Sequence, residues 1–552
     1  MSDTLAGLLT IGAVVLVLAA VYVPLGDYMA RVFERTSHSR LERALYRVGG
    51  VDPDAEQSPR QYAVAVLAFS GVCVVALMAL LMGQAALPMS RELPGVGWDT
   101  ALNTAVSFVT NTNWQSYAGE STLGFTAQMA GLAVQNFLSA AVGLTVAVAL
   151  VRGFTRSHAG TIGNFWVDLV RGTLRLLLPI AVLGALALMA GGVVQNLADT
   201  TATGVTGAPV VVPGGPVASQ ESIKLLGTNG GGFFNANSAH PLENPTALTN
   251  LLQVLLILVI PISLTRTLGT LLDNRRQART ILGVMLGLLV GALALTTWAE
   301  VTAQSDAARA AGAAMEGKES RFGVWASALF AVVTTGTSTG AVNASHDSMT
   351  PLGGGVVLLN MLIGEVSPGG VGSGLYGMLM VSILTVFLCG LMVGRTPELL
   401  GKRIGKPEMT CVALYTLTSP VLVLLGTGVA MALPPTLDAM GNPGQHGFTE
   451  VLYAYASAAN NNGSAFGGLT VTSTFFQVTL AIATLLGRLV PIVLVLMLAG
   501  RLARQGLAPR TSGTLPTDGP LFAGVTTAVV LVVGALTFFP ALVLGPVAEA
   551  LS

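Results

Sequence analysis

Four short strings of small polar residues offer oxygen ligands without formal charge inside an otherwise apolar chain. They are TNTNWQS at Thr110–Ser116, GTNGGGFFNAN at Gly227–Asn237, TTGTSTG at Thr334–Gly340 and AANNNGSAFGG at Ala458–Gly468. Their centres near Thr112, Asn229, Ser338 and Asn461 are 117, 109 and 123 residues apart, the mark of one structural unit used four times. In hydrocarbon, the peptide groups of such loops find no water, so the loops persist only inside protein or around a water-filled path. Extended segments of Gly, Thr, Ser and Asn can point successive carbonyl oxygens inward, and a filter of this kind replaces the hydration shell of a bare monovalent cation. Glycine admits the backbone angles that this requires. Neutral dipoles suit a weakly hydrated alkali cation better than Mg²⁺ or Ca²⁺, which makes K⁺ the first candidate ion.

Other chemistry is poorly represented. The chain has no GxxxxGK[ST], no HExxH and no paired-cysteine metal motif. Gly372, Gly374 and Gly377 match GxGxxG, but no strand precedes them and no βαβ unit supplies an acidic partner, so the match is accidental. His346–Asp347 follows the third loop, and a hydrogen-bonded loop anchor is favoured there over a proton relay or ion ligand. Glu120, Glu243, Asp347 and Glu450 flank the loops. They read either as charges that concentrate cations at an entrance or as ordinary solvated loop charges. Asn343-Ala-Ser345 and Asn462-Gly-Ser464 fit the glycosylation triplet by chance, since both adjoin proposed filter loops. Cys73, Cys389 and Cys411 lie in or beside apolar segments, read as packing residues, and imply no disulfide framework.

The elements that must hold the loops are membrane helices. Of 552 residues, 52% are hydrophobic and 10% charged, which excludes an ordinary soluble protein. The 27 basic and 27 acidic residues balance, so nothing points to nucleic acid or a polyanion. Leu5–Leu25 reads as a retained first helix, because a signal peptide would open on basic residues and the early charge here is Asp3. Further spans are expected at 63–83, 123–151, 173–195, 246–265, 280–304, 352–394, 410–432, 470–500 and 520–546, about ten crossings in all. The eight central spans form pairs, and a shorter segment precedes each polar loop: Thr100–Val109, Ser219–Gly227, Gly323–Val333 and Thr449–Ala459. These are about half the length of a crossing and read as re-entrant pore helices. The fold expected is an all-α polytopic membrane protein with four helix–pore loop–helix repeats, 61–152, 172–266, 280–395 and 408–504, flanked by helices at 1–26 and 519–548.

Basic clusters at Arg31–Arg60, Arg152–Arg175, Arg266–Arg279, Arg395–Lys406 and Arg488–Arg510 hold 22 of the 27 basic residues and lie between the pairs. By the positive-inside rule these connections are cytoplasmic, so the polar loops enter from the other face and both termini are extracytoplasmic. The 352–394 span is too long for one simple helix and is broken by SPGGVGSG at Ser367–Gly374. Either the break lines the route and moves as a gate, or it is a Gly/Pro kink that assists packing.

TNTNWQSYAGE, GTNGGGFFNANSAHPLENPT, GAVNASHDS, GGVGSGLYGM, GRTPELLGKRIGKPEMT and SAANNNGSAFGGL resemble the potassium-binding A subunits (KdpA) of bacterial Kdp-type potassium-transporting ATPases. The resemblance runs from the first helix to the last. It implies a ten-helix subunit in the bacterial inner membrane whose repeats are like those of potassium channels. The implied partners are a P-type catalytic subunit (KdpB), phosphorylated on the aspartate of a DKTGT-like motif, a C subunit (KdpC) and a small F peptide (KdpF). No DKTG occurs here, which agrees with a non-hydrolysing subunit that has no ATP site and selects external K⁺ for import.

The resemblance places the filter at Asn111, Thr112, Asn113, Trp114 and Gln115; Thr228, Asn229, Gly230 and Gly231; Thr337, Ser338, Thr339 and Gly340; and Asn460, Asn461, Asn462 and Gly463. Ser367–Gly377 matches the broken helix, with Gly369, Gly370, Gly372 and Gly374 as gate residues, and Arg395 matches an arginine beneath the filter. Charge patterning alone reads Arg395 as a cytoplasmic helix end. The chain departs from the family pattern at Thr339, where many members carry Cys, and at Ser367-Pro368, where apolar residues are usual. Two rival readings remain: a membrane subunit of a Trk/Ktr-type channel or uptake system without a P-type partner, and a solute carrier with repeated halves. Four oxygen-rich loops argue against the carrier, and the long motifs argue against Trk/Ktr.

Overall fold

The computed structural model describes residues 3–204, 206–303, 305–508 and 515–552. The first two residues of the 1–26 segment, position 304 of the 280–304 span and Arg510 lie outside them. Among the described residues, ten helices are long and apolar enough to cross a membrane. They are α1 Asp3–Glu34, α2 Pro59–Met82, α4 Ala127–Thr155, α5 Phe165–Ala190, α7 Ala247–Leu271, α8 Arg275–Val301, α11 Ser373–Val393, α12 Lys406–Met431, α14 Thr474–Arg504 and α15 Pro520–Leu551. Five of the shorter helices bear on the loops: α3 Trp98–Val109, α6 Val217–Leu226, α9 Gly323–Gly336, α10 Pro351–Leu362 and α13 Gly444–Asn460. Local sequence sets several starts: Ser58, Thr246 and Ser473 cap the first free N–H groups of α2, α7 and α14, and Pro59 and Pro351 stand in a first turn, where no amide partner is lost.

Within each repeat, the helix after the loop is more buried than the helix before it. The central stretches of α4, α7, α11 and α14 are 83%, 67%, 56% and 50% buried, against 28%, 28%, 44% and 17% for α2, α5, α8 and α12. The first helices therefore present an apolar face to lipid, while the second helices form an inner wall. Small residues let the inner helices approach: a Cβ on Gly153 of α4 would lie 2.7 Å from the Ala499 carbonyl of α14. Helix α1 packs along α7, where Arg266 makes a bidentate pair with Asp27 at 2.7 and 2.8 Å.

The 352–394 stretch is two helices, α10 and α11, separated by ten residues, Ile363–Gly372. The break is wider than SPGGVGSG alone, and its backbone and Ser367 are tied to neighbouring helices. Ser367 and Gly369 donate their N–H groups to the Gly336 carbonyl at 3.2 and 2.8 Å, and the Ser367 hydroxyl donates to Asn360 Oδ1 at 2.6 Å. Two small antiparallel ladders in connections, Thr200–Thr203 with Pro209–Val212 and Glu398–Leu399 with Lys402–Arg403, add to the helical plan.

Candidate functional site

Each of α3, α6, α9 and α13 ends in a loop with the same backbone signature. The N–H groups of Thr112, Asn229, Thr339 and Asn462 donate to carbonyls five residues back, on Ser107, Lys224, Thr334 and Ser457, at 2.8 to 3.0 Å. On either side of each central residue the backbone has positive φ: Asn111 +67° and Asn113 +55°, Thr228 +49° and Gly230 +91°, Ser338 +55° and Gly340 +75°, Asn461 +61° and Gly463 +104°. The central residues do not share it. Left-handed backbone is costly for residues with a Cβ, so its recurrence in one register is imposed by the fold. A backbone of alternating hand turns successive peptide planes the same way, which lines carbonyl oxygens along one edge. The register also corrects the sequence alignment: the equivalent centres are Thr112, Asn229, Thr339 and Asn462, one residue later in the third and fourth loops.

The loops close into a ring. A Cβ on Gly230 would lie 1.7 Å from the Thr339 carbonyl, one on Gly340 2.2 Å from that of Asn462, and one on Gly463 1.9 Å from that of Thr112. The second loop thus abuts the third, the third the fourth, and the fourth the first. Side chains join the first loop to the second: Asn111 Nδ2 donates to the Gly227 and Thr228 carbonyls at 3.2 and 2.7 Å, and Asn113 Nδ2 to the Gly230 carbonyl at 2.9 Å. Ser338 Oγ makes the matching link to the Asn460 and Asn461 carbonyls, at 3.1 and 2.9 Å. The carboxamide of Asn229 sits between Asn111 and Ser139, and that of Asn461 donates to Thr112 Oγ1 at 3.0 Å.

The outlying residues of the proposed segments have other tasks. Trp114 is buried in the apolar cluster around Tyr455 and Phe476, while Gln115 Oε1 accepts from Gly232 N at 2.9 Å. Thr337 and Asn460 end their helices, donating to the carbonyls of Val333 and Ala456 at 2.7 and 2.8 Å. A cavity of about 700 Å³ lies on one side of the ring, lined by Asn113, Gly231, Gly340 and Gly463. On the other side, a cavity of about 130 Å³ is lined by Ser338, Asn461, Glu365 and Arg488. The loops therefore stand between two cavities.

The break between α10 and α11 touches the second of these surfaces. Val371 N donates to Thr228 Oγ1 at 2.9 Å, and a Cβ on Gly370 would lie 3.1 Å from the Thr337 carbonyl. Gly369 and Gly372 have φ of +88° and +89°, and a Cβ on Gly372 would lie 2.0 Å from the Gly143 carbonyl of α4. Gly374 packs on Gly369, since a Cβ on Gly374 would lie 2.5 Å from the Gly369 Cα. Arg395 is a correction: it is exposed just past the end of α11, the end remote from the loops, because helix-terminal charge and not pore lining decides its place. The arginine beside the ring is Arg488, counted in the sequence with a basic connection but buried within α14. Glu365 is buried with both carboxyl oxygens unpartnered, and it could have been flagged as the lone acid of a long apolar stretch.

Among the flanking acids, Glu243 and Glu450 are fully buried, so neither is a solvated entrance charge. Glu243 pairs with Lys224, and Glu450 accepts from Gly441 N and Asn442 Nδ2 at 2.9 and 2.8 Å. His346 is a loop anchor: Nδ1 meets Tyr453 Oη at 2.8 Å, and burial followed by nearby Lys318 brings its pKa down to about 3. Asp347 instead meets His446, whose ring bridges Asp347 and Glu549 at 3.0 and 2.8 Å. Those hydrogen bonds, to Asp347 first and then Glu549, raise the His446 pKa from 6.5 to about 10. A group with a raised folded pKa contributes its full stability below the unfolded value and loses it as pH rises through the folded one. Thermal unfolding of wild type and His446→Ala should therefore differ most below pH 6.5 and converge as pH approaches about 10. A gap that widens with pH contradicts the clamp.

The family model described as potassium-transporting ATPase A subunit (KdpA) matches residues 12–551. A potassium-transporting ATPase potassium-binding subunit from Kineococcus radiotolerans is 62% identical, covering all of this chain and 99% of its own. One of the same name from Nocardia farcinica is 59% identical, with both chains fully covered. The potassium transporter TrkH from Vibrio parahaemolyticus superposes with a TM-score of 0.55 at 14% identity, over 86% of this chain and 97% of that one. That likeness shows a shared pore-loop fold. With a match over nearly its whole length and relatives this similar end to end, the chain belongs to the family of potassium-transporting ATPase A subunits.

Proposed function

We propose that this chain is the potassium-binding and translocating subunit of an ATP-driven potassium import complex. The observation that carries the reading is the closed ring of four loops with alternating backbone hand, placed between two cavities. Its central string residues carry no formal charge, so an ion would be held by dipoles, which favours a weakly hydrated monovalent cation. The carbonyls of Asn111–Asn113, Thr228–Gly230, Ser338–Gly340 and Asn461–Gly463 are the proposed ligands, with K⁺ as cargo. Trp114, Gln115, Thr337 and Asn460 support the ring from its margins.

The break at Ile363–Gly372 is the proposed gate, because its backbone and Glu365 border the small cavity on the route away from the ring. In this reading, external K⁺ enters through the larger cavity and passes to an ATP-hydrolysing partner. A P-type catalytic subunit (KdpB), a C subunit (KdpC) and an F peptide (KdpF) are the proposed partners, in a bacterial inner membrane. The basic clusters support cytoplasmic connections and extracytoplasmic termini. Impermeant thiol reagents should then label cysteines placed near Glu120 from outside and leave cysteines near Arg276 untouched; reversed labelling inverts the model. The function itself is tested by purifying the native protein in mild detergent and measuring K⁺-stimulated ATP hydrolysis. A co-purifying ATPase responsive to K⁺ is expected, whereas active uptake by complexes that never contain one contradicts the assignment.

A further inference from the structure

The four loops differ in what stands behind them. The residues whose carbonyls receive the central N–H groups are Ser107, Lys224, Thr334 and Ser457, and they occupy one structural position. Three are hydroxyls: Ser457 Oγ accepts from Gly463 N at 2.9 Å, while Ser107 Oγ and Thr334 Oγ1 have no hydrogen-bond partner. The second loop alone of the four has a charged residue there. Lys224 is 1% exposed, and its ammonium donates to the Gly231 carbonyl at 2.7 Å and to Asn237 Oδ1 at 3.0 Å. It also contacts two buried carboxyls, Glu221 at 2.7 Å and Glu243.

This asymmetry coincides with the composition of the loops. The second loop runs Gly230-Gly231-Gly232, so it has no side chains of its own over that stretch to hold the backbone. Elsewhere in the ring, side chains on the strands do the fastening, as Asn111, Asn113 and Ser338 do. A buried ammonium among fixed acceptors is a rigid brace, because leaving any of its partners unpaired is strongly unfavourable. We propose that Lys224 is a positioning residue of the ring, which sets the second loop through the Gly231 carbonyl and thereby tunes discrimination between K⁺ and Na⁺. The proposal rests on the reading of the loops as a potassium filter.

The two carboxyls have distinct tasks. Glu221 accepts from Ser238 Oγ at 2.8 Å, and an amide there can turn its oxygen to Lys224 and its NH₂ to the serine oxygen. Both oxygens of Glu243 face donors, Lys224 Nζ and Phe234 N, the latter at 3.2 Å. An amide at 243 would set its NH₂ against one of them. Glu221→Gln is therefore tolerated and Glu243→Gln is not.

The test uses the intact ATPase complex, with hydrolysis measured against K⁺, Rb⁺ and Na⁺. Lys224→Met should raise the K⁺ concentration for half-maximal stimulation at least about tenfold and admit stimulation by Na⁺, with the rate at saturating K⁺ largely kept. Glu243→Gln should shift the same quantities and Glu221→Gln should not. A purely structural brace would lower yield or melting temperature and leave ion preference alone. Assembled Lys224→Met complex with wild-type K⁺ dependence and Na⁺ rejection overturns the proposal. If that variant fails to assemble, equal ion preference in Glu243→Gln, Glu221→Gln and wild type overturns it instead. A wild-type complex with no K⁺ dependence would instead defeat the filter reading on which the proposal rests.

Discussion

Gly230→Asp should weaken K⁺ binding by about two orders of magnitude, roughly 2.7 kcal/mol, and let Na⁺ compete, in protein that still folds. Gly230 has φ of +91°, and a Cβ there would lie 1.7 Å from the Thr339 carbonyl of the neighbouring loop. Aspartate must therefore displace one oxygen-bearing strand of the ring. It also places a carboxylate among neutral dipoles, and a high-field anionic ligand favours small cations over large ones. The fold survives because the helices are held by their own apolar contacts, with α6 and α7 in the main core cluster. The check is competition binding with K⁺, Rb⁺ and Na⁺ alongside a melting curve. Well-folded variant protein with wild-type K⁺ affinity and Na⁺ rejection would show that the second loop is no part of the ion site.

Stripped of its partners, the chain should release no phosphate from ATP above background, a complete loss relative to the assembled complex. The sequence has neither a glycine-rich phosphate loop ending in GK[ST] nor a DKTG string. Adding back the catalytic partner should restore hydrolysis that rises with K⁺. Steady turnover by the isolated chain, free of any co-purifying ATPase, contradicts the division of labour.

The spans were legible because they are written in long runs of apolar residues, and the short helices because each is a segment about half that length set just before a polar loop. The loops stood out for the same reason, as polar strings where peptide groups need a purpose. Register was not legible: Ser338 and Asn461 read as loop centres, yet the central positions belong to Thr339 and Asn462. What fixes that register is a hydrogen bond to the helix five residues back and the close approach of neighbouring strands, neither of which has a residue-type signature. Buried charge was missed for a related reason. Glu243, Glu450 and Arg488 read as entrance or connecting charges, yet all three are buried, and what holds Glu243 and Glu450, Lys224 in one case and Gly441 and Asn442 in the other, lies on other segments. Arg395 shows the converse, since charge patterning had placed it at a helix end and the motif match beneath the loops.

The most direct test of the four-loop ring as the ion site is equilibrium binding of K⁺ to the purified wild-type chain, with Rb⁺ and Na⁺ as competitors. The account predicts saturable K⁺ binding that Rb⁺ displaces at comparable concentration and that Na⁺ fails to displace at about a hundredfold excess. Absence of saturable K⁺ binding by folded protein, or displacement by Na⁺ as readily as by Rb⁺, would contradict it.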